Sequence, residues 1–470
     1  MKEFDFGMVG LGVMGRNLLL NMADHGFSVA GLDLDPEKAA SLEKEASEEH
    51  TIKGTTSAQE FVSLLQKPRA IMLLVPAGKP VDAVINSLLP YLEEGDIVVD
   101  GGNSYFPDTN RRVEELDAKG IHFFGMGISG GEKGARFGPS MMPGGNESAY
   151  ERLRPIFEAI AAKVNGEPCV TYLGSGSAGN YVKMVHNGIE YAIMELIAEM
   201  YDLLKRGYGV SDAKIQQLFE DWNNSELASF LLEITADILK KEDEVTGKGL
   251  LLNYISDTAK AKGTGKWTSQ NAMDIQAPVP AIDAAVQMRD ISKYKEERVK
   301  AAKSLTWEAP AEDTDVDTLA ATLKDAFYFS MINIYAQGMA QLTIASKEYN
   351  YGLNLEEVAK IWRGGCIIRA ACLEDFRKAY QKDQHLPNLL LDETLGASLV
   401  ATQTAARNAV KMTVDKGIPA SVLMSAVAYF DSYRSEILPT NLIQAQRDFF
   451  GAHKYERTDK EGIFHTEWNS

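Results

Sequence analysis

The sequence predicts an α/β domain at the N-terminus, a large all-α domain after it and a short C-terminal tail. Three observations support this prediction. Short apolar segments alternate with amphipathic segments over residues 1–175, a Gly-x-Gly-x-x-Gly motif occupies residues 10–15, and long helical patterns without strands follow residue 179. Alternation of strands and helices is typical of a parallel sheet covered by helices on both faces.

The first part contains several candidate strands, which are the short apolar runs at 5–9, 28–33, 70–75, 97–100, 122–126 and 169–173. Helical patterns lie between them, for example over 16–24 and 36–46. The second part has helical patterns over 180–206, 211–240, 281–303, 317–345, 355–379 and 396–431. We expect domains of residues 1–178 and 179–438, followed by a polar tail of residues 439–470 that is either a docking segment or disordered.

The composition is that of an acidic globular protein. The chain has 48 Lys and Arg against 66 Asp and Glu, a formal net charge of −18. This negative net charge argues against nucleic acid or an anionic membrane as the main partner. An anionic ligand would need a local basic pocket. The cysteines, Cys169, Cys366 and Cys372, form no CxxC pair and indicate no disulfide framework. Without a signal-peptide pattern or a membrane-length apolar run, we expect a soluble cytoplasmic protein.

The motif Gly10-Leu11-Gly12-Val13-Met14-Gly15 lies between the first strand and an amphipathic helix. Its glycines suit a tight turn, close approach of a pyrophosphate to the backbone, and close packing of helix on strand. The helix N-terminus then directs free N–H groups and its dipole at the phosphates. A purely structural glycine turn is the alternative, but the position in the first βα turn favours a dinucleotide site.

The second strand ends at Asp33, which is followed by Leu34 and Asp35. A carboxylate at this place can accept hydrogen bonds from the adenosine ribose hydroxyls, and it would repel a 2′-phosphate. No arginine stands beside it to compensate. The residues therefore predict NAD rather than NADP as the preferred cofactor, the alternative being that Asp33 only caps the turn before Pro36.

Further loops follow the ends of predicted strands, where parallel sheets bind their ligands. They are Val75-Pro76-Ala77, Gly101-Gly102-Asn103 and Ile128-Ser129-Gly130-Gly131. Asn103 could hydrogen-bond cofactor and substrate at once. The backbone N–H groups of the last loop and the Ser129 hydroxyl suit a carboxylate or phosphate, although the same sequence could form a simple turn.

One face of the helix predicted over 180–206 carries four polar side chains at helical spacing. They are Lys183, His186, Asn187 and Glu190, and Tyr191 extends the set. An amine and a carboxylate on one face can act as base and acid if their surroundings tune the two pKa values. A solvated Lys–Glu pair is the alternative.

Candidate anion contacts occur later in the chain. The loop Lys262-Gly263-Thr264-Gly265-Lys266-Trp267 is compact and basic but lacks the spacing of a P-loop, and Arg289 follows in a helical pattern. Arg447 and His453 stand in the tail, and an arginine can bind a phosphate bidentately. Each taken singly could be a surface charge. The sequence has no HExxH motif, paired carboxylates or Cys/His cluster, so we expect no metal.

Taken together, these segments resemble the 6-phosphogluconate dehydrogenase family, the decarboxylating enzymes of the pentose phosphate pathway. The matching segments are MVGLGVMGRNL, VVDGGNS, GISGGEKGARFGPSMMPGG, KMVHNGIEY, KGTGKWT and LIQAQRDFFGAH, in the family's order. The resemblance implies a Rossmann-type domain, an all-helical domain, and a homodimer in which each tail enters the other subunit. It also implies oxidation and decarboxylation of 6-phosphogluconate to ribulose 5-phosphate and CO₂, with reduction of NAD or NADP.

By this resemblance, Lys183 is the general base and Glu190 the general acid. The residues implied to hold the sugar phosphate are Asn103, Ser129, Gly130, Gly131, His186, Asn187, Tyr191, Lys262, Arg289, Arg447 and His453, the last two from the partner subunit. A basic Lys183 requires a lowered pKa, for which burial or neighbouring cations such as protonated His186, Lys262 or Arg289 are the candidate causes.

Two departures from the family concern the cofactor. Many NADP-dependent relatives have Asn-Arg-Thr where this chain has Asp33-Leu34-Asp35, and Pro76 replaces a lysine common in that loop. Both departures remove positive charge, which agrees with a preference for NAD.

Two other functions compete with this interpretation. Short-chain β-hydroxyacid dehydrogenases share the glycine motif and a catalytic lysine, but they are shorter and lack KGTGKWT and the basic tail. A non-catalytic, dinucleotide-sensing protein is the alternative from another class. Loss of Lys183 or Glu190 would favour it, and both are present.

Overall fold

The computed structural model describes residues 3–310 and 315–468. Its N-terminal part is built on a seven-stranded sheet of order β3-β2-β1-β4-β5-β6-β7. The strands are β1 Phe6–Val9, β2 Val29–Leu32, β3 Ile52–Thr55, β4 Ala70–Leu73, β5 Ile97–Asp100, β6 His122–Ser129 and β7 Ser140–Gly144. A separate short hairpin is formed by β8 Lys163–Val164 and β9 Glu167–Pro168. Neighbouring strands from β3 through β6 pair in parallel, and β7 is antiparallel to β6.

Helices cover both faces of this sheet, as the alternating pattern predicts. They are α1 Val13–Asp24, α2 Pro36–Glu45, α3 Ala58–Leu64, α4 Lys79–Leu88, α5 Phe106–Asp117, α6 Gly131–Phe137 and α7 Glu147–Ile160. Successive strand residues point to opposite faces. In β4, Met72 accordingly joins one core cluster, while Ile71 and Leu73 join the other.

The predicted strand at 169–173 is wrong, and strands β3 and β7 escape prediction. Segment 169–173 lies beside β7 but contributes only an isolated bridge between Met141 and Val170. Pro143 of β7 has no N–H to extend a ladder there, although its carbonyl accepts the Leu173 N–H at 3.0 Å. Strand β3 reads IKGT and is largely half-buried, so it has no apolar run. Strand β7 ends in Pro-Gly, a sequence typical of turns.

The second part is all helical. Its helices are α8 Ala178–Asp202, α9 Asp212–Asn223, α10 Phe230–Ile238, α11 Thr264–Asp274, α12 Pro280–Ser292, α13 Lys295–Ser304, α14 Val316–Glu348, α15 Leu355–Trp362, α16 Leu373–Lys382, α17 Glu393–Lys416 and α18 Ser421–Tyr433. Helix α8 contacts β6 and β7 on one side and α11, α12, α14 and α18 on others. It is therefore the element that joins the sheet to the helical core.

Several predicted helices are two helices. The patterns at 211–240, 281–303, 355–379 and 396–431 are each interrupted, and the pattern at 180–206 passes into a π turn at Leu203–Gly207. The break after α17 has a clear cause, since Gly417 ends that helix in the left-handed conformation at φ 64°.

The tail forms helix α19 Thr440–Gly451 and a hairpin of β10 Tyr455–Glu456 and β11 Ile463–Phe464. The alternative of a disordered tail is therefore wrong for residues 440–468, while 469 and 470 lie outside the described residues. Helix α19 packs on the hairpin of the same tail. Over the part of the chain that the structure describes, no helix is long and apolar enough to cross a membrane.

Candidate active site

The glycine motif forms a cradle at the N-terminus of α1. Gly10 has φ 97°, and a side chain on it would overlap the Leu74 carbonyl. A side chain on Gly15 would overlap the Gly10 carbonyl, whereas one on Gly12 would meet no heavy atom within 4 Å. The first and third glycines thus close the turn, and the second leaves open space beside the helix N-terminus. This open cradle fits the pyrophosphate of a dinucleotide.

Asp33 lies beside this cradle in a fixed position. Its Oδ2 accepts the Leu11 N–H at 2.8 Å and its Oδ1 accepts the Asp35 N–H at 3.0 Å. The Leu34 side chain is 93% exposed. The Lys38 ammonium lies 3.8 Å from Asp33 Oδ1. It is a positive charge close to the cradle that was not predicted from the sequence.

A cavity of about 270 Å³ adjoins Asp33, lined mostly by apolar groups. Its lining includes Gly10, Leu34 and Val75. The cavity therefore lies between the glycine cradle and the predicted loop after β4. Its apolar lining is of the kind that accommodates an adenine ring. Pro76 and Ala77 are exposed beyond Val75.

The loop after β5 is held by Asp100, a fully buried carboxyl group. Asp100 accepts the Gly102 N–H at 3.0 Å and the Ser104 hydroxyl at 2.5 Å. The Asn180 amide of α8 donates to the Gly102 carbonyl at 3.4 Å, which ties the loop to this helix. Asn103 is exposed in the same loop, next to Gly102.

The predicted polar face of α8 is buried against β6. Lys183 Nζ lies 3.4 Å from His186 Nδ1, and this atom lies 2.9 Å from Asn187 Oδ1 and 4.0 Å from Glu190 Oε2. On its other side, His186 Nε2 lies 3.2 Å from the Ser129 hydroxyl. The structure therefore brings the candidate base, the candidate acid and the loop after β6 into one cluster.

Close approach of β6 to α8 depends on a glycine. A side chain on Gly127 would overlap the side chain of Lys183. Lys183 is packed against β6 at this glycine and is only 6% exposed.

Burial shifts the pKa values of the three titratable groups in useful directions. It lowers the pKa of Lys183 from its ordinary value, opposed by the charge of Glu190. It raises the pKa of Glu190, opposed by the charges of Lys183 and Arg289. The pKa of His186 falls well below 6.5 through burial and the charge of Lys183, so the imidazole is neutral near pH 7. A protonated His186 is therefore the wrong cause for the lowered Lys183 pKa, and burial is the right one.

The basic loop and Arg289 dock on the same face of α8. The Asn187 amide donates to the Thr264 hydroxyl at 3.1 Å. The Arg289 guanidinium carbon lies 3.4 Å from the centre of the Tyr191 ring, and its Nη1 donates to the Lys260 carbonyl at 3.1 Å. Lys262 is exposed in the loop that leads to Thr264.

Two parts of the site escaped sequence reasoning as functional groups. Thr264 is buried and contacts Asn187, although only the lysine of its loop was singled out. The segment 364–369 was not singled out at all. Its Ile367 N–H donates to the Ser129 hydroxyl at 3.3 Å, and the Gly365 carbonyl fills the place of a side chain on Gly130. The only feature of this segment that could have suggested a functional loop is the glycine pair at 364–365.

The structure does not bring Arg447 and His453 to Lys183 within one chain. Both are exposed in the tail, where Arg447 Nη1 donates to Gln444 at 3.0 Å and His453 lies against the Phe450 ring. Among residues 3–310 and 315–468, no three His, Cys, Asp or Glu side chains are grouped as metal ligands.

Comparisons with known proteins place the chain beside well-characterised relatives. Residues 5–174 match the model described as the NAD binding domain of 6-phosphogluconate dehydrogenase, and residues 179–468 match the model of its C-terminal domain. The chain is 52% identical to the decarboxylating 6-phosphogluconate dehydrogenase of Lactococcus lactis subsp. lactis, covering 100% of this chain and 99% of that protein. It is 51% identical to the NADP(+)-dependent, decarboxylating enzyme of Bacillus subtilis over the full length of both.

A solved structure agrees over the whole chain. The 6-phosphogluconate dehydrogenase of Plasmodium falciparum, determined apo, with NADP+ and with 6-phosphogluconate, superposes with a TM-score of 0.95 at 42% identity. The match covers 99% of this chain and 100% of the other. The predicted order of an α/β domain followed by a large helical domain is confirmed.

Proposed function

The chain belongs to the 6-phosphogluconate dehydrogenase family, and we propose that it oxidises and decarboxylates 6-phosphogluconate to ribulose 5-phosphate and CO₂ with the residues of the α8 cluster. The observation that carries this assignment of roles is the pair of buried Lys183 and half-buried Glu190, whose pKa values move in opposite directions on either side of His186. A lysine with a lowered pKa and a carboxyl group with a raised pKa are suited to the roles of base and acid that the reaction needs.

A nicotinamide dinucleotide fits the cradle of Gly10, Gly12 and Gly15, with Asp33 at its adenosine end. When bound, the cofactor accepts the hydride that leaves C3 of the substrate. The protein's own contribution is to hold the pyrophosphate at the N-terminus of α1 and to present Asn103 where cofactor and substrate meet.

Lys183 acts in its unprotonated form and takes the proton from the substrate 3-hydroxyl. Burial makes that form accessible, because the charged ammonium is poorly solvated at this place. The 3-keto acid that results carries its carboxylate β to the ketone, so CO₂ can leave when electrons move toward the ketone oxygen. The protonated Lys183 then donates a hydrogen bond to that oxygen and stabilises the developing negative charge.

Glu190 completes the reaction by giving its proton to C1 of the enediol. Its pKa is raised by burial, which keeps the acid form populated at a higher pH than that of a free glutamate. The neutral His186 touches both Lys183 and Ser129, so it orients the base without adding a competing positive charge.

The substrate's anionic groups are held by polar residues around this centre. We assign this role to Asn103, Ser129, Gly130, Gly131, His186, Asn187, Tyr191, Lys262 and Arg289 of one subunit, and to Arg447 and His453 of the other. The positive charges of Lys262, Arg289 and Arg447 would locally offset the protein's net charge of −18.

A homodimer with exchanged tails explains the exposed tail. Helix α19 leaves Leu442, Phe449 and Phe450 between 56% and 73% exposed, a contiguous apolar face of the kind that subunit interfaces cover. Contact with a partner would cover this face and carry Arg447 to the partner's Lys183. The unit of residues 439–470 is therefore the arm of the dimer, and residues 1–178 and 179–438 are the cofactor and helical domains.

NAD is the preferred cofactor in this proposal. The fixed carboxylate of Asp33 beside the cradle would repel a 2′-phosphate, and Leu34 offers no positive charge. The Bacillus subtilis relative is named as NADP-dependent, so the preference rests on this chain's own residues.

The test is to measure initial rates with 6-phosphogluconate and either cofactor while trapping the released CO₂. We expect one CO₂ for each reduced dinucleotide and a higher kcat/KM with NAD. A higher kcat/KM with NADP would reject the NAD preference alone. Reduction without CO₂ would indicate a β-hydroxyacid dehydrogenase, and binding without reduction would indicate a dinucleotide sensor.

A further inference from the structure

Asp448 is the one acidic residue of α19, and it is fully buried although most of the surrounding tail is exposed. Four groups donate hydrogen bonds to its carboxylate. Oδ1 accepts the Lys454 N–H at 2.8 Å and lies 2.9 Å from His465 Nδ1. Oδ2 accepts the Thr466 N–H at 3.1 Å and the Trp468 indole N–H at 2.9 Å.

These donors come from two separate stretches of the tail. Lys454 follows the end of α19, where Ala452 and Lys454 adopt left-handed φ angles of 50° and 63°. His465, Thr466 and Trp468 follow strand β11. One carboxylate therefore joins the helix, the turn and the terminal segment, in a tail too small to have a large apolar core of its own.

The joined segments are the ones that carry the candidate phosphate ligands. Arg447 precedes Asp448 in the chain, and His453 precedes Lys454, whose N–H the carboxylate binds. Fixing the Lys454 N–H fixes the strained turn that carries His453, so the carboxylate sets where His453 lies relative to Arg447.

Asp448 is ionised near neutral pH, so its carboxylate can accept these hydrogen bonds throughout that range. Burial alone would raise the pKa of Asp448, but the hydrogen bonds from His465, Thr466, Trp468 and Lys454 hold it below its usual range. Asp448 in turn raises the pKa of His465.

We propose that Asp448 is a positioning residue for phosphate binding, which holds Arg447 and His453 in the mutual geometry that grips the substrate's phosphate. The inference rests on the proposed function, in which the tail enters the partner's site. Asp448 itself touches no substrate, and its effect passes through the two cations beside it.

The test compares Asp448→Ala, Asp448→Asn and Arg447→Ala in the full-length enzyme. We expect Asp448→Ala to raise KM for 6-phosphogluconate on the order of tenfold or more, with a much smaller change in kcat. Asp448→Asn keeps one acceptor oxygen and should fall between Asp448→Ala and the parent. The selectivity for 6-phosphogluconate over gluconate, which lacks the phosphate, should drop in the same order.

Asp459→Ala is the matched control, because Asp459 is an exposed carboxylate of the same tail paired with Arg457 at 2.7 Å. We expect it to keep the parent KM. An unchanged KM and selectivity in Asp448→Ala, with a raised KM in Arg447→Ala, would overturn the positioning role. Loss of the dimer in Asp448→Ala, seen by sedimentation, would overturn it too, in favour of a role in assembly. An unchanged KM in Arg447→Ala would instead reject the proposed phosphate site itself.

Discussion

At the scale of single residues, the chemistry depends on where α8 places ordinary side chains. Lys183 and Glu190 acquire opposite pKa shifts from the same cause, since burial disfavours whichever form is charged. Their mutual attraction opposes both shifts. Each group therefore influences the working range of the other, and a change at one should be visible in the titration of the other.

We expect Glu190→Gln to move the acid limb of the kcat/KM profile to lower pH. The charge of Glu190 raises the Lys183 pKa, so its removal lowers that pKa further. Activity rises with pH as Lys183 loses its proton, so the limb follows the Lys183 pKa. The rate itself should fall about 100-fold or more, because the acid that protonates C1 is removed.

The control is Glu195→Gln, which changes another carboxyl group of the same helix and should leave the acid limb in place. A limb at unchanged or higher pH would refute the coupling.

The cofactor preference also belongs to single residues. We expect the triple change Asp33→Asn, Leu34→Arg and Asp35→Thr to shift the ratio of kcat/KM values toward NADP, on the order of tenfold or more, because an arginine can bind the 2′-phosphate bidentately. Lys38→Ala tests the nearby cation, which lies 3.8 Å from Asp33. If Lys38 already held a 2′-phosphate, that variant would lose NADP activity selectively.

The candidate site residues of α8 could be chosen from sequence because helical spacing alone brings Lys183, His186 and Glu190 to one face. Thr264 and Ile367 could not, because their contacts with Asn187 and Ser129 join segments far apart in the chain. The neutral state of His186 was also beyond the sequence, since it follows from complete burial.

At the scale of elements, periodicity predicted the parallel strands and the long helices but not their interruptions. Strand β3 lies at the sheet edge with little burial, so selection for apolar residues is weak there. The break in 396–431 is marked by Gly417, which a helix period alone does not register. Helix α8 contacts both the sheet and several helices, and one of its side chains caps the neighbouring helix α18.

Glu199 of α8 caps the N-terminus of α18. Its carboxyl oxygens accept the N–H groups of Val422 at 2.7 Å and Leu423 at 2.9 Å, and residue 420 offers no side-chain cap. We expect Glu199→Ala to destabilise the protein by about 1–3 kcal/mol, because two buried donors lose their acceptor. Glu199→Gln keeps one acceptor and should cost less. Denaturant unfolding measures both.

The same residue predicts a pH dependence of stability. Burial raises the pKa of Glu199 to about 8, above its unfolded value. Its stabilising contribution is therefore fully present below about pH 4.5 and is lost as pH rises toward about 8. The stability advantage of the parent over Glu199→Gln should shrink across that range. Glu244→Gln, an exposed control, should show no such trend, and a constant difference for Glu199→Gln would contradict the shifted pKa.

At the scale of the whole molecule, one chain holds the base and acid, and its tail holds cations that do not reach them. The resemblance to the family implies a role for the tail in the partner's site, which stays a prediction, whereas helix α19 and its hairpin were not predicted from the sequence. Helix α19 and the hairpin are joined by hydrogen bonds to the Asp448 carboxylate. Such contacts leave no periodic apolar pattern from which these elements could be predicted. In the proposed dimer, each active site is therefore built from α8 of one subunit and the tail of the other.

Mixing two impaired variants in equal amounts is the decisive test of this shared site. Lys183→Ala removes the base and Arg447→Ala weakens the phosphate grip, so each homodimer should be impaired at limiting 6-phosphogluconate. After the subunits are exchanged, a mixed dimer has one site with both changes and one with neither. Random pairing then predicts recovery of about one quarter of the parent activity. No recovery, with mixed dimers present, would mean that each tail serves its own subunit and would contradict the account.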